Sequence, residues 1–272
     1  MSCSPSRRRR VTNTDANSFG RPSVAGAAYQ LLGIGRVAPL YNIARTVLSN
    51  IYRPLAMSAV PAQDVPVAGL IGLVGGFVVP TILMFTPLAS FDLRQKLTAF
   101  WQPSPVYVGI LTAGILQFTR RARTTNKTDS LTAPEDRQVQ KQRQQEKRQR
   151  LISVYNLGFV ATTLVHWFAM YTILKDPKLS VSKVFRPSIA PRIEQSNGIL
   201  NFLKWDMGLY IASAAVHGLQ GILEFRTRGY VSTGQAVSAA LSFSIGHAIV
   251  GPAAAQIGLS VWKEKMLLDV GI

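Results

Sequence analysis

Residues 66–91, PVAGLIGLVGGFVVPTILMFTPLASF, run for 26 positions without a charged side chain. A helix rising about 1.5 Å per residue and of that length reaches across a hydrocarbon layer of about 30 Å. Inside such a layer a segment must satisfy its own backbone hydrogen bonds, so the run is expected to be a membrane-crossing helix. Pro80 should kink it and Pro87 should lie near its end. Residues 151–174, LISVYNLGFVATTLVHWFAMYTIL, are a second uncharged run, of 24 positions. Composition agrees: 47% of the chain is hydrophobic and only 16% charged, yet the net charge is +17. A soluble globule does not combine those values; apolar spans with basic segments outside them do.

Three further runs fit the same pattern. Residues 106–119 are a largely apolar run of 14 residues, long enough to cross if Trp101 to Pro105 are added, after a short connection at 92–105. Residues 200–225 and 235–262 complete an expected bundle of about five spans, with four to seven compatible. The fold class is thus all-α, a polytopic transmembrane helix bundle. Residues 24–56 mix apolar side chains with Arg36, Arg45 and Arg53 at near-regular spacing. They read as an interfacial amphipathic helix or helix pair, with a soluble helical hairpin as the alternative. The expected organisation is a disordered basic N-terminus (1–23), an amphipathic segment (24–65) and a helical membrane domain (66–265). A basic loop at 120–150 interrupts that domain.

The loop carries ten Lys/Arg against four Asp/Glu, and its second half reads as an exposed helix leading into the next span. Positive charge beside spans reports topology before it reports nucleic acid. No aromatics or glycines are interleaved for stacking on bases, which argues against RNA or DNA as a partner. Two spans between the N-terminus and this loop put both on the cytoplasmic face of the endoplasmic reticulum or another endomembrane. The 175–199 loop and the C-terminus then face the lumen. The N-terminal stretch lacks an apolar core after its arginines, so insertion is expected to rely on an internal span. Cys3 is the single cysteine, which excludes an internal disulfide framework and a Cys-based zinc cluster.

Polar residues inside the apolar runs are the candidates for chemistry. A carboxylate near a bilayer centre costs about 2.5–3.5 kcal/mol on insertion scales, so Asp206 should face protein or a cavity. At about 100° per residue Asp206, Tyr210, Ser213 and His217 share one helix face. His166 and Trp167 fall near the depth of Asp206, whereas His217 lies well away. That separation disfavours one metal centre for the three histidines, and interhelical hydrogen bonding suits them better. The Ser and Thr hydroxyls and the small residues around Gly246 to Gly258 suit close helix packing.

The stretches VVPTILMFTPLAS, LTAFWQPSPVYVGIL, FLKWDMGLYIASAAVHGLQGI and IVGPAAAQIGLSVWKEK resemble the fungal integral-membrane terpene cyclases of prenylated-phenol and indole-diterpene pathways, the ascofuranone-pathway type foremost. The Trp-Gln-Pro-x-Pro turn, the span-embedded Asp and the Gly-Pro-Ala-Ala…Trp-Lys-Glu ending carry the similarity, over roughly residues 70–265. The resemblance implies proton-initiated cyclisation of a farnesyl-type, epoxidised chain in meroterpenoid metabolism, without metal or other cofactor. Asp206 would be the acid, with His166 or Tyr210 as relay. Trp167, Tyr171, Trp205 and Tyr155 would stabilise a carbocation through their ring faces. The family commonly pairs two acids, and no second carboxylate lies within an uncharged run. Asp92 and Glu224 sit at span ends; Asp92 is the candidate second acid, otherwise a solvated interfacial charge, and Glu224 reads as an ion pair with the nearby arginines.

The implied partners are a hydrophobic prenylated small molecule and membrane lipid. No Asp-rich magnesium run, DxDD, GxxxxGK[ST], GxSxG or HExxH motif occurs. LVGGF at 73–77 reads as a packing feature. The competing expectation is a non-catalytic polytopic protein, a small transporter subunit or scaffold, with Asp206 and the histidines as an ion path or packing.

Overall fold

The computed structural model describes residues 22–52, 65–85, 90–125, 137–189 and 195–269. Most of the basic N-terminal tail, residues 53–64 and the centre of the 120–150 loop lie outside the described residues. Within them the chain is helical, with no strand.

Residues 22–52 form a pair of helices, α1 (Pro22–Leu32) and α2 (Ile34–Tyr52), broken at Gly33. The first apolar run is α3 (Val65–Leu73), a π-helical turn (Val74–Val78) and α4 (Val79–Phe85). The irregularity has its cause in Pro80, which has no N–H to donate to the carbonyl four residues back. The Val79 N–H reaches the Val74 carbonyl instead, the wider spacing of a π turn. The glycines of LVGGF do pack. A β-carbon on Gly76 would run into the backbone of Tyr107 and Val108, and one on Gly72 into the Thr112 hydroxyl. These contacts seat α3 antiparallel on α6 (Ser104–Thr125).

Residues 92–101, expected as part of a connection, belong to helix α5 (Phe91–Trp101). Ser90 accepts a hydrogen bond from the Leu93 amide and so caps its start, a signal that the Ser-x-x-Leu spacing alone leaves weak. The Trp101 indole donates to Thr81 Oγ1 at 2.9 Å and ties α5 back to α4.

The charged half of the 120–150 loop continues without interruption into the next apolar run as α7 (Arg137–Lys175), a helix of 39 residues. A single turn, α8 (Val181–Phe185), precedes α9 (Gln195–Thr227). The run 235–262 is two helices rather than one: α10 (Thr233–Ile249) and α11 (Pro252–Asp269) meet at Gly251. Gly251 has φ +91, a left-handed conformation that ends α10, and Pro252 opens α11, where a missing N–H costs nothing.

This break reverses the chain. Phe243 of α10 packs against Gly218 of α9, while Gln256 Nε2 of α11 donates to the Ala214 carbonyl and Lys263 lies against Gly221. So α10 runs antiparallel to α9, and α11 returns parallel to it. Phe159 lies beside Gly258, and His166 beside Gly251, so α7 and α11 are antiparallel. The C-terminal end of α11 therefore shares a face with the start of α7, where Arg148 pairs with Glu264. The expectation of a C-terminus on the face opposite the basic loop is corrected by this turn. By length and composition two helices, Val65–Phe85 and Gln142–Lys175, could cross a membrane, and Ser104–Thr119 is a shorter apolar helix. Five crossings are not established.

The buried core lies where α9, α10 and α11 meet, around Ile222, Phe225, Phe243, Leu259 and Leu267. Beside it Arg148 is 1% exposed, the most enclosed charge among the described residues. Removing one partner of a buried ion pair strands the other, whereas exchanging both for apolar residues is often tolerated. Arg148→Met alone should therefore cost about 3–5 kcal/mol, and Arg148→Met with Glu264→Leu should regain most of it. Denaturation of the purified protein in detergent checks this; equal losses for single and double variants would contradict it.

Candidate functional site at the joint of α1, α2 and α9

Asp206 faces the start of α2. Its Oδ1 accepts from the Gly35 amide at 2.7 Å and its Oδ2 from the Ile34 amide at 3.2 Å. The first amides of any helix lack intrahelical partners and form its positive end, so an acidic group is well placed there. Two glycines make the approach possible. Gly33 has φ +85 and lies against the carboxylate, and a β-carbon on Gly35 would collide with the Asp206 main chain. The Phe202 ring closes the same corner, 3.5 Å from where a Gly33 β-carbon would stand.

Below this clasp, α2 and α9 run parallel, joined by Asn42 Nδ2 donating to Ser213 Oγ at 2.9 Å and Thr46 Oγ1 donating to Gln220 Oε1 at 3.1 Å. The contacting positions on α9 are Asp206, Ser213 and Gln220. Their spacing of seven keeps one face of a slightly supercoiled helix on its neighbour. The segment expected to lie on the membrane surface thus joins the bundle along a polar seam. Of the expected stripe, Asp206 and Ser213 contact α2, while Tyr210 is 40% exposed beside the seam. Gln220, fourteen residues beyond Asp206, is a further member of this face that the stripe did not include.

His166 lies at the joint of α10 and α11. Its Nε2 is 3.3 Å from the Ala248 carbonyl, and the Trp167 indole donates to the Ile249 carbonyl at 2.8 Å. The two side chains from α7 occupy the last carbonyls of α10, which have no partners within their helix. Pairing His166 with Gly251, and Gln256 with Ala214, places this joint within about a turn of the level of Asp206. The expected common depth is seen; the two side chains nevertheless serve different joints.

The remaining candidates are spread further. Trp205 donates to the Ser188 carbonyl at 3.3 Å, helping Asn201 fasten the loop before α9. Tyr171 is 58% exposed with Lys175 over its ring. Tyr155 lies in the electrostatic reach of Glu264, toward the Arg148 end of the bundle and away from Asp206. Asp92 is exposed in the first turn of α5 and pairs with Lys96 at 2.7 Å. Glu224 pairs with Arg228, as the arginines after it suggested. Glu264 is the enclosed carboxylate that sequence reading missed. It sits in a Trp-Lys-Glu-Lys run whose charges signalled a span end, and its partner Arg148 lies 116 residues away.

His247 Nδ1 lies 2.8 Å from the Phe243 carbonyl, and its ring stands edge-on to Phe243. Among the described residues no three His, Cys, Asp or Glu side chains gather as a metal site.

Among the described residues the chain is all-helical, with two helices long and apolar enough to cross a membrane and a carboxylate clasped by a helix start. The model of the CtvD domain matches residues 8–268, and the chain belongs to that family. No curated protein and no solved structure matches it.

The clasp predicts a local signature. Asp206→Ala should free the Ile34 and Gly35 amides, removing a charge-assisted contact of about 1.5–3 kcal/mol, whereas Asp206→Asn keeps an acceptor for Gly35. Hydrogen exchange should show strong loss of protection at residues 34–35 in the alanine variant and a smaller loss in the asparagine variant. Unchanged protection in both would refute the assignment.

Proposed function

We propose that this protein is a membrane-embedded terpene cyclase that opens an epoxide on a prenyl chain by protonation and lets the chain close into a ring. The observation that carries the reading is Asp206, a carboxyl group on a largely apolar helix, fixed by the Ile34 and Gly35 amides. Membership of the CtvD domain family and the resemblance of the quoted motifs to membrane terpene cyclases support a biosynthetic role. The apolar outer faces of the helices support the membrane setting; Phe85, Phe168 and Leu223 are 76%, 73% and 61% exposed. In this reading α6, α9, α10 and α11 complete the bundle begun by the two long apolar helices.

The chemistry follows from the hydrogen bonds. Oδ2 makes the longer contact and is the oxygen freer to carry and deliver a proton. Protonation of the epoxide oxygen weakens its bond to the more substituted carbon, where positive charge develops. As the proton leaves, the carboxylate is received by two amides already in place, so charge is stabilised without reorganisation. A chain alkene or substrate hydroxyl attacks the cationic carbon, and the proton lost on ring closure restores the acid. Substrate and product are isomers, and water must be kept out for the ring to win. The Phe202 ring lies at this corner and Tyr210 stands one turn beyond Asp206 on α9, and both would offer aromatic faces to the cation.

A second reading has its own support: both oxygens of Asp206 already accept amide hydrogen bonds, the geometry of a structural clasp in a non-catalytic membrane protein. Membranes containing the wild type or Asp206→Asn, matched for folded protein, separate the two on a prenylated epoxide. The cyclase reading expects ring formation by the wild type and at least a hundredfold loss in the variant, the scale of a general acid. Equal rates in both would remove Asp206 from the chemistry, and no turnover by the wild type would favour the clasp alone.

A further inference from the structure

Three apolar runs far apart in sequence end at one level of the bundle. The boundaries are Arg150–Leu151 on α7, Phe225–Arg226 on α9 and Trp262–Lys263 on α11. The Arg148–Glu264 pair joins the first to the third, and Lys263 over the Phe225 ring, 5.7 Å from its centroid, joins the third to the second. Nothing in the sequence aligns these positions; the reversal at Gly251 does. A shared change from apolar to charged across three helices marks a plane, the edge of the hydrocarbon layer in the membrane reading on which this inference rests.

The charge at that plane is one-sided. Of its acids among the described residues, Glu264 is taken by Arg148 and Glu224 by Arg228. Glu146 and Asp269 remain, exposed, against Lys147, Arg150, Arg226 and Lys265. Arg226 is directed by its bond to Thr233 Oγ1, at 2.8 Å, and Lys147, Arg150 and Lys265 stand within about a turn of the Arg148–Glu264 pair. At about 1.5 Å per residue they lie within about 6 Å of the apolar edge, the thickness of a headgroup layer. The far end of the bundle is also basic, but several of its cations are engaged by the protein. Lys183 and Lys204 donate to main-chain carbonyls, Lys96 pairs with Asp92 and Lys175 lies over Tyr171.

We propose that this plane is a binding surface for anionic phospholipid headgroups, formed jointly by the start of α7, the α9–α10 turn and the end of α11. Phosphate and carboxylate groups at headgroup depth would bridge cations on different helices, so that lipid composition stabilises the hairpin of α10 and α11 against α7. Each Lys or Arg near an anionic leaflet contributes on the order of a fivefold gain in affinity.

The test uses the full chain reconstituted in phosphatidylcholine bilayers with trace spin-labelled lipids. The motionally restricted fraction gives the association of phosphatidylserine relative to phosphatidylcholine. We expect a several-fold preference for phosphatidylserine that weakens with salt. The preference should fall to near unity in Lys147→Gln/Arg150→Gln/Arg226→Gln/Lys265→Gln and survive in Lys147→Arg/Arg150→Lys/Lys265→Arg. Equal association of both lipids with the wild type would overturn the proposal, as would a preference that the glutamine variant retains. This readout needs no turnover, so its failure leaves the cyclase reading standing, and loss of the cyclase reading leaves this one standing.

Discussion

A carboxylate on an apolar helix must be met by donors, and here they are main-chain amides at the start of another helix, 171 residues earlier for Gly35. That one requirement organises the N-terminal half of the bundle. It demands a break before α2, supplied by Gly33. It demands a close approach of two backbones, supplied by Gly35. It also sets the register in which Asn42 meets Ser213 and Thr46 meets Gln220. Remove the carboxylate and α2 has no fixed starting point on α9.

The second half follows the same physics with different groups. The break at Gly251 exposes the last carbonyls of α10, and His166 and Trp167 of α7 occupy them. The returning α11 places Glu264 where it neutralises Arg148 inside the packing. Main-chain groups left open at an interruption need partners, and here side chains from neighbouring helices supply them. The interruptions, and not the regular turns, therefore fix which helices touch. A reaction that develops positive charge on carbon would use the same property: groups locked by such bonds do not reorganise as charge moves.

Much of the helical character was legible because it is local. The uncharged runs at 66–91 and 151–174 announce long helices by length alone, and the basic half of the 120–150 loop continued as helix, as its Gln/Lys/Arg composition suggested. Asp206 was visible as a cost, because one charge in an apolar run stands out. Its answer was not visible, since nothing in AYQLLGIGRVAP marks two amides as the donors. The Gly-Pro at 251–252 is plain in the sequence, where Gly251 suits helix packing inside a single span. A helix that breaks and one that merely kinks share that signal, and the deciding contact comes from His166 on α7. Glu264 was hidden for a different reason: charges beside a span end are ordinarily solvated, and only the fold brings Arg148 to it.

The account stands on the claim that ring closure, rather than addition of water, follows proton delivery at Asp206. Incubating the membranes with a prenylated epoxide in ¹⁸O-labelled water and weighing the product tests it most directly. The account predicts a product isomeric with the substrate and free of the label. A diol carrying the heavy oxygen would contradict it.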